Sequence, residues 1–240
     1  MSKPEEAADT GVRGTIQDRV LSTLQYGLMS GIFVPGQVFS LRKLAASLGT
    51  SPMPVRESLS RLVASNALEE LPNRSVRVPR LNVDSIAQLF EVRCFVEGMA
   101  ARIAAMNVTD AAVSELETIN EKVRSAIRQG DLAEVLRANQ EFHFAIYRLT
   151  RSDVLLPIIE GLWLRCGPTM YYSLGSPGLW DLSSHVAVLR ALAQRNPAAA
   201  EVAMREDIAK TGDYLVSRAG SIPTSGPLAE LTNIPARQVK

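Results

Sequence analysis

Apolar residues between positions 40 and 64 repeat with the period of two short helices separated by a glycine. The first helix carries its apolar positions on one stripe, formed by Leu41, Leu44, Ala45 and Leu48. Gly49 then ends it, and Ser51 followed by Pro52 supplies the N-cap and first-turn residues that open a second helix. The buried stripe of the second helix consists of Val55, Leu59, Leu62 and Val63. This spacing predicts a helix-turn-helix.

The two short runs that follow, 67–71 and 75–80, are typical of a β-hairpin. They are joined by Pro72-Asn73-Arg74, and the second run alternates valines with Arg77 and Arg80. The hairpin therefore has a basic tip and a basic outer edge. A helix that presents polar residues beside such a wing is suited to entering the DNA major groove while the wing contacts phosphate. The sequence thus predicts a winged helix-turn-helix.

The remaining periodicity is helical. An amphipathic pattern over 15–30 precedes the helix-turn-helix, and from residue 84 onward no segment alternates convincingly as a strand. We predict helices near 84–106, 110–129, 131–150, 153–174, 179–195 and 198–218, with Asp84, Thr109 and Asp153 as caps and Gly130 and Pro197 as breaks.

The predicted fold class is therefore mainly α. An N-terminal winged helix-turn-helix domain over 13–80 is followed by a C-terminal all-α bundle of about six helices over 84–219. Segments 1–12 and 220–240 lack an apolar period, so we expect them to be disordered.

The distribution of charge matters more than its total. The whole chain of 240 residues has a formal net charge of only +1. Residues 13–80 nevertheless hold nine Lys and Arg against four Asp and Glu, whereas 81–219 hold fourteen against seventeen. Because electrostatic affinity for DNA depends on where the charge lies, the winged segment is the expected DNA-binding part.

Other features indicate the compartment. The sequence has no membrane-spanning apolar run and no N-terminal signal pattern, so we expect no membrane partner. Cys94 and Cys166 both fall within helical apolar patterns, which is typical of free thiols in a cytoplasmic core. We therefore expect a cytoplasmic protein.

The segments around the second helix resemble those of the GntR family of bacterial transcription regulators. The resemblance rests on Gly31-Ile32-Phe33-Val34-Pro35-Gly36, Leu44-Ala45, Gly49-Thr50-Ser51 and Pro54-Val55-Arg56-Glu57-Ser58-Leu59-Ser60-Arg61-Leu62. The helical half is similar to that family's FCD ligand-sensing domain, which defines the FadR-type branch. The resemblance implies a homodimeric regulator, expected to be a repressor, that binds a pseudo-palindromic double-stranded DNA operator. It also implies a small organic-acid effector bound in the helical domain.

Candidate DNA-contacting residues follow from the helix faces and from this resemblance. Arg42 and Arg56 fall where the family places arginines against DNA phosphate and base edges. Arg74 falls in the wing tip, which the family directs toward the minor groove. The set is completed by Ser51, Met53 and Arg77.

Two departures from the family pattern indicate a different operator preference. Pro52 occupies a place where relatives often have a base-contacting arginine, and Ser75 replaces the usual wing glycine. A plainer alternative for the basic helix is that Arg56 and Arg61 only solvate it and pair with Glu57.

The chain has two histidines, His143 and His185, and both fall on apolar helix stripes. Asn139 lies one turn before His143 on the same face, and Asp207 lies on the inward side of the last helix. Ligand-type atoms from three helices thus enter one bundle interior, where they need hydrogen bonds or a metal.

In the metal-binding FCD proteins that this chain resembles, an aspartate and three histidines hold one divalent ion. Asn139 here stands for that aspartate and Asp207 for the last histidine, while His143 and His185 are retained. The resemblance implies that these four residues bind zinc, nickel or manganese. The alternative is a metal-free pocket in which both histidines are hydrogen-bonded.

Arg93 lies on the apolar face of the helix predicted over 84–106, so we expect it to point inward. Glu97, one turn later, can neutralise it in a buried ion pair. In the alternative, Arg93 binds the effector carboxylate through its planar fork. We also expect the two domains to be joined only through 79–83, so that the helix bearing Arg93 is the shortest covalent route from pocket to wing.

Two other classes of function fit the sequence less well than a regulator. A metal-dependent helical-bundle enzyme needs repeated Glu-x-x-His pairs, and the chain has none. It also lacks a Gly-x-Ser-x-Gly elbow, a phosphate-binding Gly-Lys-Ser/Thr loop and a Gly-x-Gly-x-x-Gly fingerprint. A ligand-independent architectural DNA-binding protein would leave the inward polar residues unexplained.

Overall fold

The N-terminal part of the chain is a winged helix-turn-helix, as the sequence predicts. A computed structural model describes residues 16–219, and the tails predicted to be disordered, 1–12 and 220–240, lie outside them. The elements in chain order are α1 (Ile16–Met29), β1 (Val38–Phe39), α2 (Leu41–Ser47), α3 (Pro52–Ala64), β2 (Glu69–Glu70) and β3 (Val76–Arg77).

The wing is a three-stranded sheet rather than the predicted two-stranded hairpin. Its strand order is β1-β3-β2, with both pairs antiparallel, and Val38 lies opposite Arg77. The strand β1 was missed because two residues are too few to show an alternating pattern. It places Phe39 against Phe33, with ring centroids 4.9 Å apart in an edge-to-face arrangement, and so ties the sheet to the helical core.

The C-terminal part of the described chain contains six α-helices, in agreement with the predicted all-α bundle. They are α4 (Val83–Asn107), α5 (Asp110–Gln129), α6 (Leu132–Arg148), α7 (Leu155–Met170), α8 (Ser183–Ala193) and α9 (Pro197–Arg218). Two 3₁₀ turns, Tyr171–Gly175 and Pro177–Leu179, connect α7 to α8. None of the described helices is long and apolar enough to cross a membrane.

Two of the three predicted helix caps differ from those in the structure. The side chain of Asn82, not Asp84, caps α4 by accepting a hydrogen bond from the Ser85 amide. At the start of α7, Ser152 takes the place predicted for Asp153, since its Oγ accepts from the Leu155 amide. Thr109 caps α5 as predicted. Where two capping residues are close together, composition does not decide between them.

The bundle is built around α4, which packs antiparallel along α9. The two helices approach closely at Gly212, where a Cβ atom would lie 2.8 Å from the Phe90 ring. The main core contains Ile86, Phe142, Tyr147, Ile159, Trp163 and Met204, all nearly inaccessible to solvent. This packing fixes the faces of α4, α6, α7 and α9 that point toward one another.

The two domains also meet through side chains, and the expectation of a link through 79–83 alone is wrong. Leu164 on α7 is buried in the core of the winged helix-turn-helix domain, together with Leu24 and Leu28. A Cβ at Gly167 would lie 2.3 Å from the carbonyl oxygen of Leu28, so the helices α1 and α7 touch backbone to backbone. A glycine within a helix gives no sequence signal for such a contact.

We predict that Gly167→Ala lowers the free energy of unfolding by about 1–3 kcal/mol, because the added methyl group overpacks a backbone contact. Gly161→Ala is the matched control on the same helix, since a Cβ there meets no atom within 4 Å. It should raise stability by about 0.5–1 kcal/mol through helix propensity. Urea denaturation of both variants measures the difference, and equal stability would show that α1 and α7 are not in contact.

Candidate functional site

Two imidazoles and a carboxylate meet in the bundle interior. His143 comes from α6, His185 from α8 and Asp207 from α9, and one ligand atom of each lies within 4.8 Å of the others. Nε2 of His143 is 3.3 Å from Oδ2 of Asp207. The structure thus brings together three of the four predicted metal ligands, and the fourth, Asn139, lines the same cavity.

His185 is held by a hydrogen bond on the side away from the cluster. Its Nδ1 lies 2.9 Å from Oδ1 of Asn120, and its ring stacks on Phe142 at a centroid distance of 4.1 Å. Because an amide oxygen only accepts, Nδ1 carries the proton and Nε2 keeps its lone pair. Burial lowers the pKa of His185 to about 3, so the ring is neutral.

His143 is fixed in the same tautomer by Tyr147. The Tyr147 hydroxyl donates to the carboxylate of Glu97, so it accepts from Nδ1 of His143, 3.1 Å away. Nε2 of His143 therefore also keeps its lone pair and faces Asp207. Burial, followed by the neighbouring His185, lowers the pKa of His143 well below its usual value.

With Asp207 ionised, the three groups of the cluster are all hydrogen-bond acceptors. Two imidazole nitrogens and a carboxylate repel one another unless a proton or a cation lies between them. Burial raises the pKa of Asp207 to about 7, which reflects the cost of a charged carboxylate in this place. This convergence suits either a proton on Asp207 that is shared with Nε2 of His143, which is the metal-free alternative, or a bound cation.

Glu97 does not line the cavity, but it binds two residues that do, Arg93 and Trp163. Its buried carboxylate accepts from Nε and Nη2 of Arg93, at 2.6 and 3.2 Å, and from Nε1 of Trp163 at 3.0 Å. It is also the acceptor for Tyr147. The pairing of Arg93 with Glu97, one of the two sequence alternatives, is therefore present. The Arg93 guanidinium also lies over the rings of Phe90 and Trp163, 4.7 and 4.8 Å from their centroids.

These supporting residues were missed by sequence reasoning. Asn120 and Trp163 lie 65 and 66 residues from the groups they contact, so no local pattern connects them. Tyr147 did leave a signal, because it is four residues after His143 and so shares its helix face.

The cavity beside the cluster is small and lies under a loop. Its volume of about 30 Å³ has room for an ion with one or two waters. Arg93 lies on its wall, and the segment between α7 and α8 contributes Leu179, Trp180 and Leu182. Leu182 has a left-handed backbone conformation, with φ of +61°, which is unusual for a branched side chain.

Most of the candidate DNA-binding residues are exposed to solvent, and three of them are arginines. Arg42, Ser51, Met53, Arg56 and Arg74 are all exposed. The alternative pairing of Arg56 or Arg61 with Glu57 is not present among the ion pairs of the described residues. Arg77 differs from the others, because it is half-buried and its Nε binds Oε1 of Glu69 across the sheet at 2.8 Å.

The wing tip is shaped by two local features. Arg74 has a left-handed φ of +61°, and its amide donates to the carbonyl of Leu71. Oδ1 of Asn73 accepts from both the amide and the hydroxyl of Ser75. Arg74 thus takes the backbone conformation that a glycine would favour, and its side chain projects from the end of the hairpin.

Comparisons with known proteins agree with the winged helix-turn-helix domain and with the helical domain. Residues 16–78 match the family described as bacterial regulatory proteins, gntR family, and residues 88–210 match the FCD domain. The chain is 33% identical over 168 residues to the HTH-type transcriptional regulator McbR of Escherichia coli, covering 70% of this chain and 76% of McbR. It is 27% identical over 198 residues to the probable D-xylose utilization operon transcriptional repressor of Paenarthrobacter nicotinovorans, covering 82% and 87%.

A solved structure agrees as well. That of E. coli McbR/YncC superposes with a TM-score of 0.80 at 28% identity, over 85% of this chain and 99% of that one. These relatives are named as transcriptional regulators, so the winged helix-turn-helix serves regulation rather than catalysis.

We predict that Arg93→Met lowers the free energy of unfolding by about 3–5 kcal/mol, because the carboxylate of Glu97 loses its buried counter-charge. The double variant Arg93→Met, Glu97→Gln should recover most of the loss, since the neutral amide still accepts from Tyr147 or Trp163. Arg102→Met is the control, because its ion pair with Glu201 is exposed and contributes little. Chemical denaturation of the three variants checks this, and a double variant as unstable as the single one would contradict it.

Proposed function

The chain belongs to the gntR family of bacterial regulatory proteins and carries an FCD domain, and on this premise we propose that it is a ligand-responsive repressor acting in the cytoplasm. In this proposal a homodimer binds a pseudo-palindromic operator, and a small organic acid releases it by binding beside a divalent metal. One observation carries the proposal: lone pairs of His143, His185 and Asp207 converge in the bundle interior.

The donor set fits a divalent cation. Imidazole nitrogen and carboxylate oxygen are ligands for zinc, nickel and manganese, and Asn139 offers an amide oxygen from the same cavity. A metal-binding histidine usually forms a hydrogen bond through its second ring nitrogen. Here Nδ1 of His185 is bonded to Asn120, and Nδ1 of His143 is bonded to Tyr147. A metal bound by these residues would supply a Lewis acid with positions open to a carboxylate.

The second determinant of the proposed effector is Arg93. Glu97 uses its Nε and Nη2, which leaves Nη1 to bind an anionic group at the cavity wall. A cation and a guanidinium on one cavity favour a small carboxylate. Because the cavity measures about 30 Å³, an acid of more than a few atoms has to displace the loop that carries Trp180 and Leu182.

The homodimer is supported by an apolar stripe on the outer face of α4. Val92, Phe95 and Met106 are 47%, 65% and 61% exposed, and their spacing puts them on one side of the helix. Ile158 on the neighbouring α7 is 48% exposed. Large apolar side chains exposed along one side of a helix are typical of an interface, and a two-fold copy of α4 would cover them. Two-fold proteins read two-fold operators, which agrees with a pseudo-palindrome.

The metal is tested first. Wild-type protein should contain a divalent metal, and chelation should lower its melting temperature by about 5–10 °C if the metal is present at about a hundred times its Kd. His185→Ala and Asp207→Ala should contain less metal, and their melting temperatures should not respond to chelator. Asp213→Ala, which removes an exposed carboxylate from the same helix, should behave as wild type. Elemental analysis and thermal denaturation measure both quantities.

The response to effector is then tested with a panel of small organic acids on an operator selected from random DNA. An acid that releases the operator from metal-loaded protein should lose its effect once the metal is removed. If metal-free protein still releases the operator fully in response to the acid, the metal is not required. The pocket would then be the metal-free, hydrogen-bonded alternative.

The dimer is tested by Phe95→Lys. A charge in the middle of the apolar stripe should shift the protein to a monomer in sedimentation analysis and weaken operator binding by at least tenfold. Val202→Lys is the control, since Val202 is 54% exposed on α9 and lies outside the stripe. A Phe95→Lys protein that remains dimeric would place the interface elsewhere.

A further inference from the structure

The first turn of α3, the second helix of the helix-turn-helix, presents an apolar surface to solvent. Met53 is 61% exposed at the start of α3, between Pro52 and Pro54. Proline has no amide hydrogen, so this turn offers few donors of its own. The side chain of Ser51 makes no capping bond to the helix. The N-terminal end of α3 thus exposes mainly apolar atoms, namely the Met53 thioether and the rings of Pro52 and Pro54.

Met53 points directly away from the protein core. Leu62, which is buried, lies nine residues or about two and a half helical turns further on, so it projects from the opposite side. Exposed Ser60 lies about two turns from Met53 and projects from the same side. Met53 therefore projects outward from the first turn of α3, at the end of the helix that enters the major groove in this type of motif.

The chemistry of the groove decides what such a side chain recognises. Base edges in the major groove present hydrogen-bond donors and acceptors, and the C5 methyl group of thymine is their apolar feature. A methionine can neither donate a hydrogen bond nor accept one strongly. We infer that Met53 is a specificity-determining residue that contacts a thymine methyl group in each operator half-site. This inference rests on the proposed operator binding.

The neighbouring arginine locates that thymine. Arg56 is exposed and lies three residues after Met53, a rise of about 4.5 Å along the helix. Successive base pairs are about 3.4 Å apart, so the two side chains reach bases no more than two steps from each other. Arginine pairs with guanine through O6 and N7. The half-site thus contains a thymine within two base pairs of a guanine.

The test removes one methyl group from DNA and one side chain from the protein. An operator is selected from random double-stranded DNA with the wild-type dimer, and each thymine is replaced in turn by deoxyuridine. At one position per half-site, the replacement should weaken wild-type binding about fourfold, as expected for a methyl group lost from an apolar contact. Met53→Ala should bind the thymine and deoxyuridine operators equally. Arg56→Ala, the control, should bind both more weakly and keep the difference between them.

The outcomes separate this inference from the proposed function. Failure to select any sequence overturns operator binding and the inference together. A selected operator in which no deoxyuridine replacement weakens binding overturns the inference alone. The same is true if Met53→Ala retains the full effect of the methyl group. Since Met53 is exposed, Met53→Ala should melt at the wild-type temperature, which excludes misfolding as a cause.

Discussion

The helical domain depends on one buried carboxylate. Glu97 on α4 accepts hydrogen bonds from Arg93 on the same helix, from Tyr147 on α6 and from Trp163 on α7. An ionised carboxylate in an apolar interior is very costly unless its donors are in place, so the three helices have little freedom in their relative register. The same bond that satisfies Glu97 orients Tyr147, and Tyr147 in turn orients His143. Stability and the geometry of the candidate metal ligands therefore have a common origin.

The helix α7 connects this interior to the DNA-binding domain. Trp163 and Met170 border the cavity, while Leu164 lies in the core of the winged domain and Gly167 touches α1. A ligand changes DNA affinity only as far as it binds two arrangements of the protein differently. Because the same helix borders the cavity and contacts the winged domain, a displacement of α7 at the cavity also moves the surface against which α1 packs.

Much of this could be predicted from the sequence, for clear physical reasons. Helix periodicity revealed the helix-turn-helix and the six helices of the bundle, and the apolar stripes brought His143, His185 and Asp207 to one interior. What escaped prediction depends on distant or featureless contacts. The strand β1 is two residues long, and the amide of Asn120 gives no hint of a partner in α8. The chain separation of such partners exceeds any helical or strand period.

The close approach at Gly167 has a consequence for how such regulators diverge. Domains joined by a free linker can be recombined, so that a new sensor is placed behind an old DNA-binding module. Here α1 rests on a surface of α7 that tolerates no side chain at one position and contributes Leu164 to its core. A chimera that exchanged the domains at 79–83 would expose that surface and leave a hole beneath α1, unless the matching face of α7 were exchanged too. The winged domain and the face of α7 that it contacts would therefore have to be exchanged together.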